Sequence, residues 1–364
     1  MRVAIVHYWL VSMRGGEKVL EALCQLFPEA DIFTHVYDPG LESETIRKHK
    51  IVTTFINSLP RARRYYKHYL PLMPLALEQI DLRGYDLVIS SESGPAKGII
   101  PPAGAVHICY CHSPMRYVWN MFHDYREHAG WFRRLMMPPL CHYLRIWDAT
   151  ASMRVDRFIA NSATVAARIE KYYRRDAEVI HPPVNVELFE SVPPGQVEDY
   201  YLMAGELVAY KRPELAVEAF NALGRRLIVI GGGEMLAEIR KLAGPTVTIM
   251  GQQPFSVLRH HYPVEVMASG RPVIAYGRGG VTESVTAGVS GLFFEEQTAA
   301  AIERAIHDFE RMSFDSRAIR AQAEKFNTHK FLTAFTATVE SALGHKLDLP
   351  VLPDSKVSPY SAVP

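Results

Sequence analysis

The chain has 364 residues, 48% hydrophobic and 22% charged, with a formal net charge of +1. This length predicts two or three domains with cores of their own, and the near-neutral balance gives no reason to expect a nucleic-acid partner. No apolar run approaches the ~20 residues of a membrane span, and the four cysteines suggest no disulfide framework, so a cytoplasmic protein is expected. The charge is uneven: up to Pro183 the cations are in excess, and beyond it the acids are. A basic first half suits an anionic surface or acceptor, although so small an excess is commonly mere solvation.

The opening apolar stretch lacks a small-residue cleavage site and reads as a first strand, residues 2–7, rather than a signal peptide. Gly15-Gly16 follow it, then an amphipathic helix over 17–27 with Val19, Leu20, Leu23, Leu26 and Phe27 on one face. Further strands are predicted at 31–36, 85–90, 105–111 and 157–160, with a long basic and aromatic helix at 133–153. Between them, Arg61, Arg63, Arg64 and Lys67 stand among tyrosines and leucines with no acid nearby. That stretch could lie on an anionic membrane surface or form an ordinary amphipathic helix and loop. Cys109-Tyr110-Cys111-His112 looks like the start of a metal site, but no second ligand pair follows at zinc spacing, so no metal is expected. His112 ends a strand and either faces a ligand or is simply packed.

His181-Pro182-Pro183-Val184-Asn185 breaks the alternation of strands and helices, and a new series begins at 200–204, 226–230, 246–250 and 272–275. The expected fold class is therefore α/β, with two doubly wound parallel-sheet domains facing a cleft: residues 1–183, residues 184–346, and a Pro-rich tail, 347–364. Gly231-Gly232-Gly233 follow a strand without the full dinucleotide spacing, and read as a turn lining the nucleotide base. Lys211-Arg212-Pro213 puts two cations at a helix start, against the helix dipole, so an anion should compensate; a solvated basic turn is the plainer reading. The strand at 272–275 delivers the turn holding Gly279 and Gly280 to a helix near Val281, where unpaired amides favour phosphate oxygens. Glu265 and Glu283 flank this run, and either could merely stabilise a helix's first turn.

One stretch does not fit. Residues 255–262 look helical and run straight into Pro263-Val264-Glu265, which starts another helix, so the strand phase is skipped. A segment of roughly 15 residues, a strand plus a loop, is expected to be missing here.

Taken together, Gly15-Gly16, the His112 loop, the hinge with Asn185, residues 205–211, Pro263 through Ala275, and Gly279-Gly280 through Glu283 resemble the retaining glycosyltransferases of family 4, which have two Rossmann-like domains in the GT-B arrangement. The resemblance implies a nucleotide-diphosphate sugar as donor, GDP-mannose among the candidates, and no cofactor. It implies that Glu265 binds the ribose, Lys211 the diphosphate and His112 the transferred sugar, with Gly15, Gly16, Arg212, Gly279, Gly280 and Glu283 completing the donor site. Arg61, Arg63, Arg64 and Lys67 then face a lipid-linked saccharide acceptor at the inner face of the cytoplasmic membrane. No Asp-x-Asp triplet occurs, which fits metal-independent transfer. Two departures stand out: Val257 occupies the place of the family's sugar-binding Glu, and Glu206 that of a phosphate-binding cation. A sugar-nucleotide 2-epimerase and a non-catalytic scaffold binding nucleotide sugar or membrane are the alternatives.

Overall fold

The computed structural model describes residues 1–40, 43–127, 129–189, 197–253 and 263–348, with the side chains of 263–265 outside that description. The chain divides into two compact units, Met1–Pro183 with Thr328–Pro364, and Val184–Asn327. The expectation that residues 184–346 form the second domain is corrected at its far end, because the helix Thr328–Leu343 returns to the first unit. Its Phe331, Leu332, Phe335 and Val339 are buried in the same core as Leu20, Leu23 and Ile89.

The first unit is built on a seven-stranded sheet in the order β3-β2-β1-β4-β5-β6-β7. The strands are β1 (Val3–His7), β2 (Asp31–Thr34), β3 (Ile51–Thr53), β4 (Leu87–Glu92), β5 (Val106–Cys111), β6 (Arg157–Ala160) and β7 (Ala177–Val179), and every pairing is parallel. β1 and β4 are buried along their whole length, as expected for strands covered on both faces. Ile5, Ile89 and Ile108 point into one apolar core; Ala4, Val6 and Val88 point into the other, where Leu144 and Trp147 of the helix Trp131–Ala151 pack. Pro138 and Pro139 lie inside this helix. Pro138 cannot supply the amide that the Arg134 carbonyl would normally receive, and Arg126 Nε donates to that oxygen instead at 3.4 Å.

From β1 the chain winds outward to β3, then returns to the other side of β1 to start β4. The carboxyl ends of β1 and β4 therefore flank a topological switch point, where open α/β sheets form their ligand crevice.

In the second unit, β8 (Tyr201–Ala204), β9 (Leu227–Ile230) and β10 (Val247–Gly251) make a parallel sheet in the order β10-β9-β8, and β11 (Val273–Tyr276) pairs with β12 (Gly291–Phe294) in a separate parallel pair. One doubly wound sheet was expected here; the described residues form two sheets, and no described strand lies between Gly251 and Val273. The two share a core, since Ile274 and Phe294 pack with Val217, Phe220, Val229, Ile302 and Ile306. The stretch 255–262, where a missing segment was inferred, lies outside the described residues.

Candidate active site

The first cluster sits at the switch point. After β1, the helix Gly15–Leu26 begins, and Glu17 caps it by accepting the Arg14 N–H at 2.9 Å through Oε2. The other Glu17 oxygen lies 3.6 Å from Nε2 of His7, both side chains being buried. A Cβ on Gly16 would stand 2.4 Å from the Tyr8 hydroxyl oxygen and 3.5 Å from His112 Nε2, whereas a Cβ on Gly15 would meet nothing within 4 Å. The two glycines thus differ. Gly16 is required by the protein's own packing, and Gly15 leaves open space above the first helical turn.

His112 enters from the end of β5, where its backbone N–H donates to the Glu92 carbonyl at 2.7 Å and its Nε2 lies 2.9 Å from Ser91 Oγ. Its ring meets Tyr110 edge-on at 5.1 Å between centroids. Burial first, and the nearby His7 second, hold its pKa down to about 3. The imidazole is therefore neutral at physiological pH and can exchange hydrogen bonds with a hydroxyl-bearing ligand without introducing charge. Burial, and then Glu17, raise the Tyr8 phenol well above its usual range, so it too is neutral. Cys109 and Cys111 point into an apolar core with Val155, Phe158 and Ala160.

Behind His112 lies a charged network that the sequence did not reveal. Glu92, at the end of β4, accepts the backbone N–H groups of Ala96 and Lys97 through Oε2 at 2.6 and 2.7 Å. Its Oε1 is 3.3 Å from the Lys97 ammonium, which also pairs with Asp148. Asp148 in turn accepts from Trp119 Nε1 at 2.7 Å and from the Tyr173 hydroxyl at 2.8 Å. All three charged side chains are fully buried. Burial opposes the Lys97 charge, but Asp148 and Glu92 outweigh it and raise the ammonium above its ordinary pKa. Glu92 is raised chiefly by burial. The network fixes the turn after β4, next to Ser91 and His112.

In the second unit the loops after β8 and β9 are tied together. Leu207 N–H donates to the Gly232 carbonyl at 2.8 Å, Met235 N–H to the Leu207 carbonyl at 3.1 Å, and Ala209 N–H to Glu234 Oε1 at 3.2 Å. A Cβ on Gly231 would sit 1.8 Å from the Gly205 carbonyl oxygen, and one on Gly233 2.3 Å from that of Leu207. These glycines let one loop approach the other, and their φ of +155° and +144° is a backbone only glycine adopts freely. The turn expected to line a base thus has a packing role of its own. Lys211 closes a one-turn 3-10 helix, exposed, its Nζ 3.8 Å from where a Gly205 Cβ would be. Arg212, in the left-handed conformation (φ 53°), caps the helix Pro213–Leu223 and pairs with Glu214, so its charge is met from within the chain.

Gly279 takes φ 82°, and Gly280 precedes a helix of only four residues, Val281–Ser284, which holds Glu283. The helix expected near Val281 is there but is a single turn, so its dipole is small and its amides are what it can offer. Glu265 lies on the helix Pro263–Ala268, and its side chain is outside the described residues. In the first unit, Arg61, Arg63, Arg64 and Lys67 are all exposed. Arg63 lies 3.7 Å from Asp38, while Arg64 and Lys67 sit over the rings of Tyr65 and Tyr66.

Residues 13–188 match the family described as Glycosyltransferase Family 4, and residues 261–326 match that described as Glycosyl transferases group 1. The two matches make the chain a glycosyltransferase. No curated protein matches it in sequence. Among solved structures, sucrose-phosphate synthase from Thermosynechococcus elongatus is 16% identical with a TM-score of 0.69, covering 94% of this chain and 100% of that one. HepE from Anabaena, solved with UDP-glucose, is 15% identical with a TM-score of 0.66 over 94% and 100%. The lipopolysaccharide outer core galactosyltransferase WaaB is 15% identical with a TM-score of 0.61 over 94% and 99%. At such identities the likeness is one of fold, and that fold is GT-B.

Proposed function

We propose that the chain transfers a sugar, with retention of anomeric configuration, from a nucleotide-diphosphate sugar to a lipid-linked saccharide or growing polysaccharide. The observation that carries this is the neutral, hydrogen-bonded imidazole of His112 at the switch point, beside the open first turn of the helix at Gly15. Breaking a sugar–phosphate bond leaves positive character at the anomeric carbon and negative charge on the departing diphosphate. Lys211 and the amides at Gly279 and Gly280 are assigned to that diphosphate. Arg212, already paired with Glu214, contributes less. His112 is assigned to the sugar, Glu265 to the ribose, and Glu283 to the sugar hydroxyls. The leaving phosphate takes the acceptor proton, so no separate base is needed, and no metal or cofactor is assigned.

GDP-mannose is the donor drawn from the family resemblance. A UDP-hexose is the second reading, supported by the UDP-glucose complex of HepE and the galactosyltransferase WaaB. The acceptor side is assigned to the first unit, with Arg61, Arg63, Arg64 and Lys67 near an anionic membrane surface. A panel of GDP-mannose, UDP-glucose and UDP-galactose, scored for nucleoside diphosphate released with and without a lipid-linked acceptor, tests the reading. Release that needs acceptor supports it; an epimerised donor or no turnover of any donor counts against it.

A further inference from the structure

The helix Trp131–Ala151 buries one side and leaves the other bare. Cys141, Leu144, Trp147 and Ala151 face the core, while Trp131 is 81% exposed, Leu135 66%, Phe132 59%, Ile146 57%, Met136 48% and Tyr143 46%. At about 100° per residue the exposed six fall within an arc of about 140°, so they form one apolar stripe on solvent, wider than scattered surface residues produce. A second segment lies alongside. Arg133 reaches His68 at 2.9 Å, Trp147 Nε1 donates to Glu78 at 2.8 Å, and Leu70 packs in one core with Met137 and Leu140. That neighbour exposes Leu72 (41%) and Leu75 (52%) and carries Arg61, Arg63, Arg64 and Lys67 at its start. Arg133 and Arg134 on the helix are exposed as well; Asp124 and Glu127, on the preceding helix Phe122–Glu127, are the acids nearest in sequence. No described helix is long and apolar enough to cross a membrane.

We propose that this face of the first unit docks flat on an anionic membrane, the stripe from Trp131 to Ile146 entering the headgroup boundary while the arginines meet lipid phosphates. The charge decides the occupant: apolar side chains alone would suit a protein partner equally, but the flanking cations match a negative lipid surface. The proposal deepens the acceptor reading above, and its test uses neither donor nor acceptor, so the two can fail separately.

The test is flotation of the full chain with phosphatidylglycerol-containing vesicles and with pure phosphatidylcholine, for wild type, W131S/L135Q and R64Q/R134Q. Wild type should bind the anionic vesicles, release with rising salt, and show a blue-shifted Trp emission. W131S/L135Q should bind roughly tenfold to a hundredfold more weakly, with an unchanged melting temperature because both side chains already stand in solvent. R64Q/R134Q should lose most of the preference for anionic lipid. Absence of wild-type binding overturns the proposal. So does wild-type affinity retained by W131S/L135Q, or a concentration-dependent dimer that W131S/L135Q abolishes while vesicles are ignored.

Discussion

Gly16 and its neighbour Gly15 provide a paired test of the switch-point site, because the same substitution has opposite surroundings one residue apart. Alanine at Gly16 would place a methyl 2.4 Å from the Tyr8 hydroxyl oxygen, and Tyr8 is only 7% exposed, so its ring cannot swing out of the way. Overpacking of this kind costs about 1–3 kcal/mol, offset by up to about 1 kcal/mol from replacing glycine in a helix. The net expectation is a loss of about 1–2 kcal/mol, or a fall of roughly 2–8 °C in the melting temperature of the first unit. Alanine at Gly15 meets nothing within 4 Å and should be neutral or stabilising by up to about 1 kcal/mol. Thermal melts read stability; steady-state release of nucleoside diphosphate reads function. Gly16→Ala should lose both, since displacing Tyr8 disturbs His112. Gly15→Ala should keep its stability and still lose turnover, because its methyl would occupy the space assigned to the donor. A Gly16→Ala protein as stable as wild type, or a Gly15→Ala protein with full turnover, would refute this account of the cluster.

Lys97→Met leaves Glu92 and Asp148 buried without their shared cation and should destabilise by about 3–5 kcal/mol, read by urea unfolding; a loss under about 1 kcal/mol would mean the network is not closed as described. Lys97 itself, raised above its ordinary pKa, stabilises at all pH values below that ordinary value, and its contribution should fade only in alkali, as pH rises through the folded value. The buried histidines act at the other end of the scale. Burial lowers His35 to about 3, His107 to about 4 and His112 to about 3, so below the usual pKa near 6.5 the unfolded chain takes up protons that the folded one refuses. Stability should be intact above about pH 6.5 and fall steadily from there toward pH 4; melting temperatures that stay flat across that window would contradict the neutral assignment. If the chain at an intact mass of 41.1 kDa lacks the acidic loop expected before Pro263, it should bind nucleotide and turn over poorly, and rapid turnover by protein of that mass would remove the inference.

Much of the first unit was legible because its central strands are continuous apolar runs between helices of clear period. β1, β4, β5 and β6 fall within two residues of where the pattern placed them. β3, β7 and β12 went unseen: three or four residues carry too little periodicity, and β7 keeps Glu178 and Val179 exposed at an edge. The helix Thr328–Leu343 was periodic, but periodicity says which face is buried and not against which unit. His112 and the glycine pairs were singled out by their position after strands. The partners of His112 were not, since Ser91 lies 21 residues away and is brought beside it by the parallel register of β4 and β5. Asp148 lies 51 residues from Lys97 in the chain, and no local pattern links the two. The three glycines 231–233 were read as ligand-facing, and only coordinates show that Gly231 and Gly233 make room for the Gly205 loop.

The most direct test of the central claim is transfer itself, followed in the anomeric proton signals of donor and product, for wild type, His112→Ala and Lys211→Ala. The account predicts a product of unchanged anomeric configuration, nucleoside diphosphate released in step with acceptor consumed, and a loss of roughly 100-fold or more in kcat/KM for each variant, at unchanged melting temperature for Lys211→Ala, whose side chain is exposed. Inverted product, or full activity in either variant, would contradict it.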